Sequence, residues 1–204
     1  KLQIIKGQVT IDATGDGDVA AFAGAVCHHG NPRTGKTQNY SQWNIAGGGK
    51  PPSNVSSDYD IIDNTRISEL QRGLFLSHYE AHFYDFHPYL TVRESRRVEG
   101  LYTVTFIDAS EATHFEDVMS LATSDYDPHY VGNSEFTRCG FLLPHSNILK
   151  VEIPYRAIVP RNLDGLLVAG KAISQTHDAL QYTRMTADII VLGFLAGEVA
   201  AHLA

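Results

Sequence analysis

The chain has 204 residues, 43% hydrophobic and 19% charged, with 16 Lys+Arg against 23 Asp+Glu and a formal net charge of −7. That composition fits one large or two small globular domains and excludes a disordered or fibrous chain. The acidic balance argues against a nucleic-acid partner, which needs a basic footprint, and against docking on an anionic membrane surface.

Gln8 to Ala13 is a short β-rich run that stops at Gly15, within Thr14-Gly15-Asp16-Gly17-Asp18, and the small apolar run Val19 to Val26 follows. This predicts a strand, a tight turn and a helix of small residues, with Gly24 allowing close packing. His28 to Ser57 is rich in Gly, Pro, Asn and Ser and reads as loop, with one strand near Tyr40 to Ile45. Thr65 to Phe86 reads as a helix, with Ile67, Leu70, Leu74, His78, Ala81 and Tyr84 or Asp85 at helical spacing and His87-Pro88 ending it. Tyr89 to Val92 and Leu101 to Ile107 read as strands around a polar segment, and turns fall at Asp127-Pro128 and Pro144. Val151 to Ile153 and Arg156 to Val159 read as short extended pieces, and Leu166 to Ala169 as a buried strand ending at Gly170. A helix is expected from about Arg184 to Leu203, its stripe of Met185, Ile189, Leu192, Ala196, Val199 and Leu203 thinned by Gly193 and Gly197 for close approach of a sheet. Two cysteines, Cys27 and Cys139, are too few for a disulfide framework. No run of about 18 uninterrupted apolar residues occurs, so no membrane span is expected.

Three constellations carry chemistry. In Ile11 to Asp18 a strand ends in a glycine turn and leads into a helix, presenting backbone N–H groups suited to a phosphate or a flavin edge. A purely structural turn fits the same residues, and the spacing of Asp12, Asp16 and Asp18 is wrong for an EF-hand. In Leu166 to Ser174, followed by His177 and Thr183-Arg184-Met185, a buried strand again ends in glycine before a helix. A cation such as Arg184 at a helix N-terminus opposes the macrodipole by about 0.3–1 kcal/mol. It therefore calls for an anion, either a ligand or a carboxylate such as Asp178. In Arg93-Glu94-Ser95-Arg96-Arg97-Val98-Glu99-Gly100, the arginines either fork onto an anionic substrate or pair with Glu94 and Glu99. Cys27-His28-His29 lacks a second ligand pair at metal spacing, so no metal site is expected.

Together these segments resemble the FAD-dependent oxidoreductases of the glutathione-reductase-type flavoprotein superfamily. IDATGDGDVAAFAGA near the start, RESRRVEG in the middle and the stretch from Ile153 to Ala204 occur in that order. The resemblance implies an α/β fold: an incomplete, Rossmann-like FAD-binding domain from residues 1–26 and 151–204, with an inserted mixed α+β substrate domain over 27–150. It implies FAD as cofactor, with Ala13, Thr14, Gly15 and Asp16 beside it. Ala169, Gly170 and Lys171 would approach its ribityl and pyrophosphate part, and the helix beginning at Arg184 and Met185 would face the pyrimidine edge. The positive end of that helix would stabilise the anion formed on flavin reduction.

The implied activity is hydride transfer between a small-molecule substrate and flavin. His177 would be the base, and Arg93, Arg96 and Arg97 would orient the substrate. Two departures stand out. No GxGxxG segment occurs, so the chain is expected to be the C-terminal portion of such a protein. Alone it is expected to bind FAD weakly or not at all, and to self-associate through an uncovered sheet edge. Lys171 also stands where arginine is usual, making a forked contact a point charge. The rival readings are a carbohydrate-binding module using Tyr40 and Trp43, and a structural fragment with no ligand.

Overall fold

The computed structural model describes residues 3–35, 37–38, 40–43, 54–59, 66–75, 89–124, 126–127 and 150–204. Its strands are β1 (Thr10–Asp12), β2 (Cys27–His28), β3 (Tyr40–Trp43), β4 (Asn54–Tyr59), β5 (Tyr89–Thr91), β6 (Arg97–Val98), β7 (Val118–Ala122), β8 (Val151–Pro154) and β9 (Leu166–Val168). Its helices are α1 (Asp18–Phe22), α2 (Ile67–Phe75), α3 (Phe106–Ser110), α4 (Leu180–Thr183) and α5 (Thr186–Leu203).

The β-branched run of β1 and the wholly buried run of β9 pair in parallel, Thr10 with Leu166, Ile11 with Leu167 and Asp12 with Val168. Continuous burial is the signature of a parallel strand covered on both faces. The other strand-to-strand pairings among the described residues are antiparallel, β2 with β6, β4–β3–β5, and β7 with β8, and an isolated parallel bridge joins Val104 to Gln175. One apolar cluster joins Val104, Phe106, Ala122, Val151, Ile153, Leu167, Tyr182, Leu192 and Ala196. It draws residues from both sides of position 150. A second cluster packs Ala20 of α1 against Val98, Leu166, Val168 and Ala172. The architecture is mixed α/β, built from small sheets and helices.

Several local expectations change. Gly24 does not mediate close packing: its φ is +92° and nothing lies within 4 Å of where its Cβ would stand. Its left-handed backbone lies just past α1, a conformation an L side chain resists. Residues Asn54–Tyr59, expected to fall mainly in loop, form β4. The strand expected over Leu101 to Ile107 gives way to α3, because Thr105 and Asp108 form a reciprocal capping box. Arg156 to Val159 is not extended, since Tyr155–Ala157 is a 3-10 turn. The long helix starts at Thr186, not Arg184, because Met185 is extended with ψ 145°. Among the described residues nothing lies within 4 Å of where a Cβ of Gly193 or Gly197 would stand, so the contacts of α5 with β7, β1 and β9 do not depend on those glycines. The helical continuation through His78, Ala81 and Tyr84, the turn at Pro144, and Cys139 lie outside the described residues.

By length and composition alone, α5 is apolar enough to cross a membrane. In this fold Leu192 and Ala196 bury into the core, and Asp188 in its first turn accepts a 3.1 Å hydrogen bond from Thr123 N. Ser124 Oγ donates to the same carboxylate.

Candidate functional site

The turn after β1 is organised by Asp12. Its side chain is buried and accepts from Thr14 N (3.0 Å), Thr14 Oγ1 (2.7 Å) and Ala20 N (2.8 Å). Burial works against its charge, but the bonds from Ala20 and Thr14 hold the carboxyl below its usual range. The chain can turn this tightly because Gly15 and Gly17 take φ of +82° and +66°. A left-handed backbone at those positions costs glycine nothing.

Two cations close over the same turn. Lys171 Nζ donates to Gly15 O (2.6 Å) and Asp16 Oδ1 (2.7 Å). Arg96 Nε donates to Asp16 O (3.0 Å), and its guanidinium pairs with Asp18. Ser95 Oγ lies 3.4 Å from Gly15 O. Burial raises the Asp16 carboxyl, and the hydrogen bond and charge of Lys171, with Ser95 and Arg96, more than reverse that. The three acids of the turn are thus taken by protein donors, and among the described residues no group of three or more His, Cys, Asp or Glu is placed to hold a metal ion.

The turn after β9 lies beside it. Ala169 N donates to Asp12 O at 2.9 Å, extending the parallel pairing by one residue. Gly170 follows with φ +94° and open space where a Cβ would stand. Ala13 and Thr14 are therefore brought together with Ala169, Gly170 and Lys171 at the carboxyl ends of two adjacent strands.

A second centre is buried behind Arg93-Glu94-Ser95-Arg96-Arg97. Glu94 is 1% exposed; its Oε1 takes the Arg97 guanidinium, while Oε2 accepts Gln38 N at 2.7 Å. His177 Nδ1 lies 2.7 Å from the same Oε2, at an angle that departs from that of a directed hydrogen bond. On the other side of the ring, His177 Nε2 meets Gln38 Nε2 at 3.0 Å. Arg97 also donates to Gln175 O (3.0 Å) and Gly30 O (2.9 Å), so it fastens three stretches of chain. A cavity of about 320 Å³ opens here, its wall including His29, Arg33, Arg97, Thr103, His177 and Asp178.

The arginines thus take separate places. Arg97 is committed to Glu94, the structural pairing weighed from the sequence, whereas Glu99 pairs with His28 and Arg161 instead. Arg96 serves the turn after β1, and Arg93 is buried beside Glu94 in sequence. Only His177 and Arg97 of the four expected catalytic residues reach the cavity wall. Arg184 follows α4 and donates through Nη2 to Asp127 O (3.0 Å) and Oδ2 (2.6 Å). It has its anion, but the partner is Asp127 and not Asp178. Arg184 still stands just before the positive end of α5, and the Asp127 carboxylate supplies the anion that offsets this. Met185 is the N-cap of α5 and makes no side-chain cap.

Sequence reasoning missed Glu94 as the partner of His177, and missed Gln38 altogether. The side chains of Tyr40 and Trp43, on which the carbohydrate-binding reading rested, lie outside the described set. A family model described as FAD dependent oxidoreductase matches residues 1–71 and 57–204. No curated protein and no solved structure gives a significant match.

Proposed function

The chain belongs to the FAD dependent oxidoreductase family, which carries FAD as cofactor, and from that premise we propose that it exchanges a hydride between FAD and a small-molecule substrate. The observation that carries this reading is the pair of glycine turns. Gly15 and Gly170 end neighbouring parallel strands, both with left-handed backbone, and the approach to Gly170 is open. Open α/β sheets bind their ligands at such carboxyl ends, where the backbone can be approached closely.

The residues fit the cofactor. Ala13, Thr14, Gly15 and Asp16 from one turn, and Ala169, Gly170 and Lys171 from the other, would line it. Arg184 and Met185 would position the N-terminus of α5, whose uncapped N–H groups and positive dipole end suit a flavin edge. FAD, when bound, supplies the two-electron chemistry.

The protein's own part is to orient the substrate and take its proton. Glu94 sets the ring of His177 and favours the tautomer with the proton on Nδ1, leaving Nε2 as acceptor. Arg97 pairs with the buried Glu94 and balances the charge of its carboxylate. Arg93 and Arg96 act through the segment they hold, and not by touching substrate. Residues 1–26 and 151–204 make up the cofactor domain in this reading, and 27–150 the substrate domain, whose part from 97 to 122 docks on the cofactor side.

The test is spectroscopic. Protein encoded by the complete gene is expected to keep flavin absorbance through gel filtration and to lose it in Gly170→Val. A colourless protein that takes up no added FAD overturns the reading.

A further inference from the structure

We propose that Gln38 is a displaceable cap on His177, and that its amide holds the place where the O–H of an alcohol substrate binds; this rests on the reading of His177 as the proton acceptor. Gln38 and His177 are each 2% exposed, and their Nε2 atoms stand 3.0 Å apart. An amide nitrogen has only protons to offer, so the ring atom facing it presents a lone pair. The ring proton then belongs on Nδ1, which faces the Glu94 carboxylate at 2.7 Å. Both contacts select the same tautomer, the one a proton acceptor needs.

The backbone makes the cap removable. Gln38 N is fixed to Glu94 Oε2 at 2.7 Å, independently of its side chain. Rotation of the side chain can therefore uncover Nε2 while the segment stays in place. The same carboxylate oxygen orients the ring and anchors the residue that covers it. His177 also belongs to the wall of the 320 Å³ cavity, whereas Gln38 does not, so the cap separates the ring's Nε2 from a space that a small molecule can enter.

The class of substrate follows from what Gln38 donates. An alcohol O–H can replace the amide N–H at Nε2, exchanging one neutral hydrogen bond for another at little net cost. A ketone or a carboxylate would set lone pair against lone pair and leave the cap in place. The charged and titratable groups around the ring and cavity are Glu94, Arg97, Asp178, Arg33, His28 and His29.

The test reads the ring directly, without turnover. In ¹⁵N-labelled protein, His177 is expected to show Nδ1 protonated and Nε2 bare at neutral pH. Diethyl pyrocarbonate, which acylates a bare ring nitrogen, is followed by peptide mass mapping, with the exposed His28 and His29 as internal standards. Removing the cap in Gln38→Ala should raise the rate at His177 about fivefold, the factor that one neutral hydrogen bond of about 1 kcal/mol represents. Gln38→Asn, whose shorter amide cannot reach, should do the same while keeping the site polar. Gln38→Glu should lower the rate, because a carboxylate facing Nε2 favours its protonation. In wild type, 2-propanol should move the Nε2 resonance and acetone of equal size should not.

Unchanged rates in both Gln38→Ala and Gln38→Asn, with the expected tautomer, overturn the cap and leave the reading of His177 standing. A protonated Nε2 with a bare Nδ1 removes His177 as acceptor and the proposal with it. Equal shifts with 2-propanol and acetone, or none with either, overturn the alcohol assignment.

Discussion

Lys171 Nζ stands 2.7 Å from Asp16 Oδ1 and 2.6 Å from Gly15 O, so a single ammonium ties the turn after β9 to the turn after β1. The point charge that looked like a weakness in the sequence has a local use. A carbonyl and a carboxylate converge on one spot, and a compact cation with three donors serves both. Gly15 completes the fit, since a Cβ there would come within 3.3 Å of Nζ.

Lys171→Met should lower stability by about 0.5–1 kcal/mol, a figure held down by solvent screening of a partly exposed pair. The effect has a definite pH dependence. Asp16 sits below its ordinary carboxyl value, so its contribution is present above the unfolded pKa and is lost as pH falls through the folded one. Urea unfolding of wild type and variant should differ at neutral pH and converge in acid. A difference that persists in acid would mean Lys171 stabilises through packing.

Glu94→Leu strands the buried guanidinium of Arg97 and should cost about 3–5 kcal/mol. The double variant Glu94→Leu with Arg97→Met removes both charges and should cost less than the two single changes added together. Chemical denaturation of all four proteins supplies the cycle. Simple additivity would show that Glu94 and Arg97 do not depend on one another.

Asp12→Asn keeps one acceptor oxygen but turns an N–H₂ toward a backbone or hydroxyl donor. It should cost about 1–3 kcal/mol, the penalty for an unsatisfied buried donor. Hydrogen exchange at Ala20 N–H should speed up in parallel, because that amide is held by Asp12 Oδ2 at 2.8 Å. Unaltered protection at Ala20 would place the anchoring elsewhere.

Gly15→Ala and Gly170→Ala both force a side chain into left-handed backbone, at about 1–2 kcal/mol. Gly15→Ala also displaces Lys171, so it should be the more destabilising of the two in thermal unfolding. Gly170→Ala has free space around it in the protein and should instead cost more in FAD affinity, read by flavin fluorescence. The opposite ordering in affinity would move the cofactor away from Gly170.

The sequence makes the paired glycine turns legible because each half announces itself locally. Residues 8–15 and 166–170 each run from strand formers into a glycine, and the small residues after Gly17 mark the start of α1. The capping signal Thr105-Phe106-Ile107-Asp108 was equally present, but Val104, Phe106 and Ile107 favour a strand, and the cap decides for α3. Met185 offers neither glycine nor proline to signal its extended backbone, which is why Arg184 looked like the start of α5. Nothing in the order of residues links Gln38 to Glu94 or to His177, which lie 56 and 139 positions away. That centre exists only once distant stretches have met, and it shows no periodicity.

The pairing of Thr10 with Leu166 also sets a clock on synthesis. At about 5–20 residues per second, roughly 8–30 seconds separate the making of the two strands on a ribosome. During that interval β1 has emerged without its mate, while the hairpin partners β3 and β4 can already meet. The edge formed by β1 and β9 therefore closes only after residues 166–168 have been made. A growing chain arrested before residue 166 would leave Ile11 and Asp12 open to a chaperone.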